Sequence, residues 1–197
     1  ILAAEELVKR DYYVFRMGMN DIKPFNTVNK KIIDYANTKL RSDFMDVYLG
    51  SKCSFCISNG CGFDAIPYIF RKPIAYIQQT LGVLHTEREQ DLLLLQPHLN
   101  KKNNARLNVS EIFLSNVALA GHTDEFEKNN VILEENSPED IKNLVVEMEE
   151  RLSGNWKETE EDLLLQKKFW STLEANVGKV DKSMFNNKDK KQKLFTL

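Results

Sequence analysis

Residues 53–77 read CSFCISNGCGFDAIPYIFRKPIAYI, and this stretch decides the expected fold. Its short apolar start, residues 53–58, predicts a buried strand, and a glycine-containing turn leads from there into a helical pattern over residues 62–72. The run from Pro73 to Ile77 predicts the next strand. Strand, helix and strand at this spacing are typical of a right-handed βαβ unit with parallel strands. We therefore expect an α/β fold: a Rossmann-like parallel sheet with helices on both faces.

The residues before this stretch show the same alternation. Runs rich in β-formers predict strands at residues 12–17 and 32–36. The segment RSDFMDVYLGSK predicts a short helix with Ser42 as its N-cap and Gly50 at its end. Open parallel sheets bind ligands beyond the carboxyl ends of their strands, which directs attention to the turn that reads NGCG.

That turn has the composition of an anion-binding loop. Gly60 and Gly62 let the backbone approach a bound group, because no Cβ blocks it. The first amides of the following helix have no intrahelical partner, and with the helix dipole they favour phosphate or diphosphate. Pro67 fits near the first helical turn, where its missing N–H costs little. The pattern matches neither a P-loop nor the full dinucleotide fingerprint, so a tight turn with glycines for geometry alone stays an alternative.

The three cysteines of the stretch offer a competing metal site. Cys53, Cys56 and Cys61 supply three thiolates, whereas structural zinc needs four ligands. On a strand, Cys53 and Cys56 would point to opposite faces, so we expect both to be core residues and predict no metal. The histidines lie far away in sequence and are expected to be solvated; they are His85, His98 and His122.

Charged residues near the same sheet edge extend the candidate site. Arg16 ends the first predicted strand just before Gly18, and an arginine there suits bidentate phosphate contact, with a surface ion pair as the alternative. Asp43 and Asp64 lie in first helical turns, where they complement the helix dipole or accept from sugar hydroxyls. We favour hydroxyl binding or capping for Asp64, because a carboxylate repels phosphate.

The second half of the chain predicts further elements. DLLLLQPHLN contains a strand before Pro97, NVILEE contains another, and NVSEIFLSNVALAG predicts a helix capped by Ser110 and closed near Gly121. The strongest local signal is NSPEDIKNLVVEMEERLSG, with Ser137 as N-cap and Gly154 as terminator. A second helix follows in KETEEDLLLQKKFWSTLEA. We expect one domain over residues 1–176 and a basic, mostly disordered tail over residues 177–197.

Bulk composition narrows the class of protein. The 197 residues carry a formal net charge of -2, which gives no reason to expect nucleic acid as a partner. No apolar run reaches the roughly 18–20 residues that span a bilayer, and no secretion signal is recognisable. An odd number of cysteines without such a signal predicts a reducing, cytoplasmic location. Because the chain opens inside an amphipathic helical pattern without Met, we expect an N-terminal part to be missing.

Taken in order, these segments resemble the C-terminal domain of GT-B glycosyltransferases. The segments are RMG, DYA, SDFMDVYLGSK, CSFCIS and NGCGFDAIPYIFRKPI, followed by RLNVSEIF and NSPEDIKNLVVEMEERLSGNWKETEEDLLLQKKFW. More narrowly, they are similar to a family of bacterial glycosyltransferases of surface-carbohydrate synthesis. The resemblance covers roughly residues 10–173, and residues 41–77 and 136–170 carry most of it.

The resemblance implies an enzyme that moves a sugar from a nucleotide-diphosphate donor to a glycan or glycolipid acceptor, without a metal or cofactor. This chain would be its donor-binding domain, and the acceptor domain would be missing. Peripheral contact at the inner face of the membrane would come from the basic tail, residues 177–197, with a solvated tail as the favoured alternative. The residues implied to contact the diphosphate or nucleoside are Ser58, Asn59, Gly60, Cys61 and Gly62. Arg16 would neutralise the leaving diphosphate. No catalytic residue can be assigned, and a sugar-nucleotide epimerase or a non-catalytic binding module are the alternatives.

Overall fold

The computed structural model describes residues 1–19, 23–83, 88–176 and 193–194. Within these residues the chain is mixed α/β. Its α-helices are α1 (Leu2–Lys9), α2 (Asp43–Lys52), α3 (Ala65–Ile69), α4 (Val109–Leu114), α5 (Thr123–Lys128), α6 (Pro138–Ser153) and α7 (Glu160–Asn176). Its strands are β1 (Val14–Phe15), β2 (Ile32–Ile33), β3 (Cys56–Ser58), β4 (Ile74–Gln79), β5 (Leu92–Leu95), β6 (His98–Asn100), β7 (Val131–Leu133) and β8 (Lys193–Leu194). Short 3-10 turns lie at Tyr35–Asn37, Gly62–Asp64 and Leu81–Val83.

The described strands form three small sheets. β1 and β2 pair in parallel, with Val14 opposite Ile32. The second sheet has the strand order β3-β4-β5-β8, and β8 pairs with β5 in parallel. β6 and β7 form an antiparallel pair in which His98 lies opposite Leu133. The expectation of an α/β chain with parallel strand pairs is confirmed, whereas the antiparallel pair was not expected from the sequence.

The chain divides into two compact units. The first contains Ile1–Ala75 and Ser137–Asn155, so α6 returns to the N-terminal part of the chain. The second contains Tyr76–Asn136 and the described residues from Trp156 onward.

The first unit has its core on α1 and α6. Buried Ala3 and Leu7 of α1 pack with Val145 of α6, and half-buried apolar side chains close around them: Tyr12, Val14, Phe55, Ile57 and Ile141. An ion pair links the same two helices, because Arg10 Nη1 lies 2.7 Å from Glu149 Oε2. Burial of apolar area therefore stabilises this unit, and the Arg10–Glu149 ion pair adds a polar contact at the edge of the core.

The second unit has a larger core. Its buried members are Leu81, Ile112, Phe113, Val117, Ala118, Ala120, Phe126, Val131, Phe169 and Leu173. The rings of Phe169 and Trp170 meet edge to face with centroids 5.3 Å apart. Phe169 is thus a core residue of the second unit.

Helix α6 forms as its sequence predicts. Ser137 Oγ accepts a hydrogen bond from the amide of Asp140 over 3.1 Å, and the Asp140 side chain reaches back to the Ser137 amide. Pro138 occupies the first turn. Gly154 ends the helix in the left-handed conformation, with φ of 75°.

Helix α2 begins as predicted but ends later. Ser42 Oγ accepts from the amide of Met45 over 3.2 Å, which confirms the N-cap. Gly50 lies inside the helix, which continues to Lys52, so its predicted role as terminator is wrong. The physical reason is packing: a Cβ at position 50 would lie 2.7 Å from Ile66 Cγ2 of α3. The glycine serves the close approach of two helices.

Further boundaries differ from the sequence expectation, among them the end of α4, which lies at Leu114 and not near Gly121. Cys53 caps the C-terminus of α2 and lies outside β3, so the expected strand alternation of Cys53 and Cys56 is wrong. The N-cap of α4 is Asn108, which exchanges hydrogen bonds with Glu111 in a capping box, and Ser110 lies inside the helix. An asparagine two residues upstream offered the same acceptor chemistry, and local sequence did not separate the two.

The sequence also missed short elements. α5 and β6 were not predicted, because three to six residues carry too little periodicity. Of the predicted tail, Lys193 and Leu194 form β8, and the rest of residues 177–197 lies outside the described residues.

Candidate functional site

The turn Ser58–Asp64 after β3 holds six of the predicted site residues in one short segment. β3 ends at Ser58, whose side chain is buried, and Asn59 and Gly60 form a bend. Gly60 has a φ of 83°, a conformation that only glycine adopts without strain. The 3-10 turn Gly62–Asp64 then leads directly into α3.

Hydrogen bonds fix the shape of this turn. Ser58 Oγ donates to Asp64 Oδ2 over 2.8 Å and accepts from the amide of Gly60 over 3.0 Å. The amide of Asp64 donates to the carbonyl of Cys61 over 3.1 Å. The serine hydroxyl thus joins both ends of the turn. Asp64 occupies the N-cap position of α3, but its side chain makes no capping hydrogen bond to that helix, so its role in capping or hydroxyl binding stays a prediction.

The outer side of the turn is open. Within the described part of the chain, no group accepts a hydrogen bond from the amides of Cys61, Gly62 and Phe63. A Cβ built on Gly62 would meet nothing within 4 Å. Successive backbone amides without a protein partner favour anions where their N–H groups converge. Because α3 has only five residues, the amides contribute more here than the helix dipole that the sequence led us to expect.

The cysteines differ in exposure and ionisation. Cys61 is exposed, whereas Cys53 and Cys56 are half-buried. Burial, with smaller contributions from the charges of Cys53, Asp64 and Cys61, raises the pKa of Cys56 to about 12. Burial also raises the pKa of Cys53, whose thiol donates to the carbonyl of Gly50 over 3.2 Å. Among the described residues, no group of three His, Cys, Asp or Glu side chains is placed to hold a metal ion.

Arg16 contacts the segment that follows it. Its Nε lies 2.8 Å from Asp34 Oδ1, and its Nη1 donates to the carbonyl of Lys23 over 2.8 Å. The guanidinium also lies over the ring of Phe25, 5.1 Å from the centroid. None of these partners belongs to the turn after β3. The structure therefore shows the ion pair that was the alternative for Arg16, and its contact with diphosphate stays a prediction, as does that of Gly18.

The carboxyl of Asp34 is held in its charged form. Burial alone would raise its pKa, but the Asn37 side chain and the Phe25 amide both donate hydrogen bonds to it, over 2.8 and 2.9 Å. With the charge of Arg16 added, these bonds leave the pKa of Asp34 below its ordinary value. A charged Asp34 keeps Arg16 where it is.

A hydrogen-bonded cluster of Gln78, Gln96 and Asn136 in the second unit, which we call the polar clasp, was not expected from the sequence. The backbone amide of Gln78 donates to Asn136 Oδ1 over 2.7 Å, and the backbone amide of Asn136 donates to Gln78 Oε1 over 2.9 Å. Gln78 has a φ of 56°. Gln96 also donates to Gln78 Oε1, over 3.0 Å. The buried Asn136 closes the clasp by donating to the carbonyl of Leu95. These groups satisfy one another, so the strained backbone of Gln78 is explained by the clasp itself.

The histidines divide into three cases. His98 is buried in β6, so the expectation that it is solvated is wrong: its Nδ1 lies 2.8 Å from the carbonyl of Gln96, and its ring meets Phe126 edge to face. Burial lowers the pKa of His98. His122 is exposed at the start of α5, and His85 lies outside the described residues.

No family model, curated protein or solved structure matches this chain. Among the described residues, no helix is long and apolar enough to cross a membrane. The candidate site therefore rests on the geometry of the turn between β3 and α3.

Proposed function

We propose that the turn Ser58–Asp64 binds the diphosphate of a nucleotide-diphosphate sugar, and that the chain is the donor-binding part of a glycosyltransferase. One observation carries the proposal: the amides of Cys61, Gly62 and Phe63, at the carboxyl end of β3, have no partner in the described chain, and a Cβ at Gly62 would meet open space. The sequence resemblance to GT-B glycosyltransferases is the reason for proposing a sugar nucleotide as the ligand. The corresponding fold would be the C-terminal, Rossmann-like half of such an enzyme.

In this proposal, different groups of the turn bind the diphosphate and the hydroxyl groups of the ligand. The three amides would donate to diphosphate oxygens, and Gly62 would let those oxygens reach the backbone. Asp64 already uses Oδ2 to accept from Ser58, so Oδ1 is the oxygen that would accept from a ribose or sugar hydroxyl. This arrangement places the carboxylate against hydroxyls and the amides against phosphate. Arg16 would join the site only by leaving Asp34, so the proposal does not depend on it.

Gly62 offers the sharpest test. In Gly62→Val the side chain would project into the open space, and the backbone at this position does not require glycine. We expect the wild-type chain to bind a nucleoside diphosphate or its sugar conjugate in calorimetry, and the variant to bind at least tenfold more weakly. Gly121→Val is the matched control, because a Cβ there also meets nothing within 4 Å.

The outcomes separate cleanly. Loss of binding in Gly62→Val with normal binding in Gly121→Val supports the proposal. Gly60→Val is a poorer probe, since its φ of 83° makes any substitution destabilise the turn itself. No binding of any common nucleotide sugar by the wild type, or equal binding by both glycine variants, would overturn the proposal.

A further inference from the structure

Helix α2 presents large apolar side chains to solvent. Phe44 and Tyr48 stack on its outer face with ring centroids 6.1 Å apart, and Val47 lies beside them. Phe44 is 74% exposed, and Leu40, which precedes the helix by three residues, is 76% exposed. At this exposure the side chains protrude from the surface. Their spacing of three and four residues places them along one face.

The neighbouring helix α3 shows the same feature. α2 and α3 pack against each other through Gly50 and Ile66. Beyond that contact, Ile69 is 73% exposed, and Tyr68 and Phe70 are also exposed. Of the six exposed aromatic side chains in the described chain, four belong to these two helices and their ends: Phe44, Tyr48, Tyr68 and Phe70. Exposed apolar side chains concentrated in this way mark an interaction surface more often than chance scatter does.

The net charge of residues 39–72 favours a negatively charged partner for the outer surface of α2 and α3. Residues 39–72 contain five basic residues and three acidic ones, so five minus three gives a local charge of +2 in a chain whose net charge is -2. The basic residues are Lys39, Arg41, Lys52, Arg71 and Lys72, and the acidic ones are Asp43, Asp46 and Asp64. Exposed Lys39 and Lys52 flank α2 on either side, and Arg41 pairs with Asp46 over 3.2 Å. The partner should therefore be negatively charged.

We propose that the outer surface of α2 and α3 docks on an anionic lipid bilayer. A bilayer interface accepts protruding aromatic and aliphatic side chains, whereas a protein partner would have to supply a concave surface matched to each of them. Lysines at both ends of a short helix can extend to phosphate headgroups while their stems stay against apolar surface. This docking is independent of the proposed donor site, because it uses side chains outside the turn Ser58–Asp64.

Vesicle flotation tests the docking with the full chain. We expect flotation with vesicles of phosphatidylcholine and phosphatidylglycerol, little flotation with phosphatidylcholine alone, and loss of flotation at high salt. The double variant Phe44→Ala/Tyr48→Ala should partition roughly tenfold less, because two large apolar side chains no longer enter the interface. Leu163→Ala/Leu164→Ala, which removes two exposed leucines of α7, is the matched control and should float normally.

A fluorescent reporter excludes a fold defect as the explanation. Phe44→Trp adds an indole at the exposed tip of α2 to a chain that already contains Trp156 and Trp170. Its emission, taken as the difference from the wild-type spectrum, should shift to the blue with anionic vesicles. Absence of flotation, or flotation that Phe44→Ala/Tyr48→Ala leaves unchanged, would overturn the proposal, the latter by placing the lipid contact elsewhere in the chain. An unshifted Phe44→Trp emission on bound vesicles would do the same. Capture of a protein by this surface without any vesicle binding would also overturn it.

Discussion

The hydroxyl of Ser58 donates to Asp64 Oδ2 over 2.8 Å, and this bond ties the last residue of β3 to the last residue of the 3-10 turn. The same hydroxyl accepts from the amide of Gly60. One buried side chain therefore holds both the left-handed glycine and the carboxylate in place. The open amides between them are presented by a turn that needs no ligand to keep its shape, which lowers the ordering cost of binding.

Ser58→Ala should loosen the turn. The change removes the donor to Asp64 and leaves the Gly60 amide without its acceptor, so we expect a loss of about 1–3 kcal/mol in the free energy of unfolding. Urea denaturation measures the difference. The control is Ser171→Ala, whose exposed hydroxyl donates to the carbonyl of Lys168 within α7 and should matter little. Equal stabilities of the two variants would show that the bonds of Ser58 do not hold the turn.

The thiols should react at very different rates. Thiolate is the reactive form, and Cys56 with its pKa of about 12 is almost entirely protonated near neutral pH. Exposed Cys61 should therefore be the fast site toward a disulfide reagent, and Cys61→Ser should abolish the fast phase. A bound nucleoside diphosphate should protect Cys61. Fast labelling that survives Cys61→Ser would place the reactive thiol at Cys53 or Cys56 and contradict the described burial.

The elements that sequence predicted correctly are those with local causes. α6 has its cap, first-turn proline and terminating glycine within its own segment, so a reader of residues 137–154 needs nothing else. The turn at Gly60 and Gly62 is likewise local. The prediction that Gly50 ends α2 was wrong because this glycine allows close contact with Ile66, sixteen positions later. No local signal distinguishes such a glycine from a helix terminator.

Prediction from local sequence also fails where the burial of a residue depends on long-range strand pairing. His98 appears to local sequence analysis as a polar residue after a proline, yet β6 pairs with β7 and places it opposite Leu133. Its burial depends on residues more than thirty positions away. The open amides of Cys61, Gly62 and Phe63 were predictable as a turn, whereas the Ser58–Asp64 bond that shapes them required the structure.

Buried His98 should make stability depend on pH. Burial lowers its pKa in the folded state from the ordinary value of 6.5, so the unfolded chain binds a proton that the folded chain does not. Stability should be fully present above the unfolded pKa and should fall as pH drops through it toward the folded pKa. The contribution has an upper limit of about 1.4 kcal/mol per pH unit.

The histidine variants isolate this effect. We expect His98→Gln to flatten the change in unfolding free energy between about pH 7.5 and 5.5. His122→Gln removes an exposed histidine and should leave the slope as in the wild type. If His98→Gln keeps the wild-type slope, the buried imidazole does not titrate as its surroundings indicate.

Gly50→Ala tests the approach of α2 to α3. Alanine favours a helix over glycine by about 1 kcal/mol, but its Cβ would lie 2.7 Å from Ile66 Cγ2, and such overpacking costs about 1–3 kcal/mol. We therefore expect a net loss of stability in urea denaturation. In the background Ile66→Ala the clashing Cγ2 is gone, so the same change should become neutral or stabilising. Gly62→Ala, which meets nothing within 4 Å, should stay within roughly 0.5 kcal/mol of the wild type. A cost of Gly50→Ala that is the same in both backgrounds would show that Ile66 does not set the distance between the two helices.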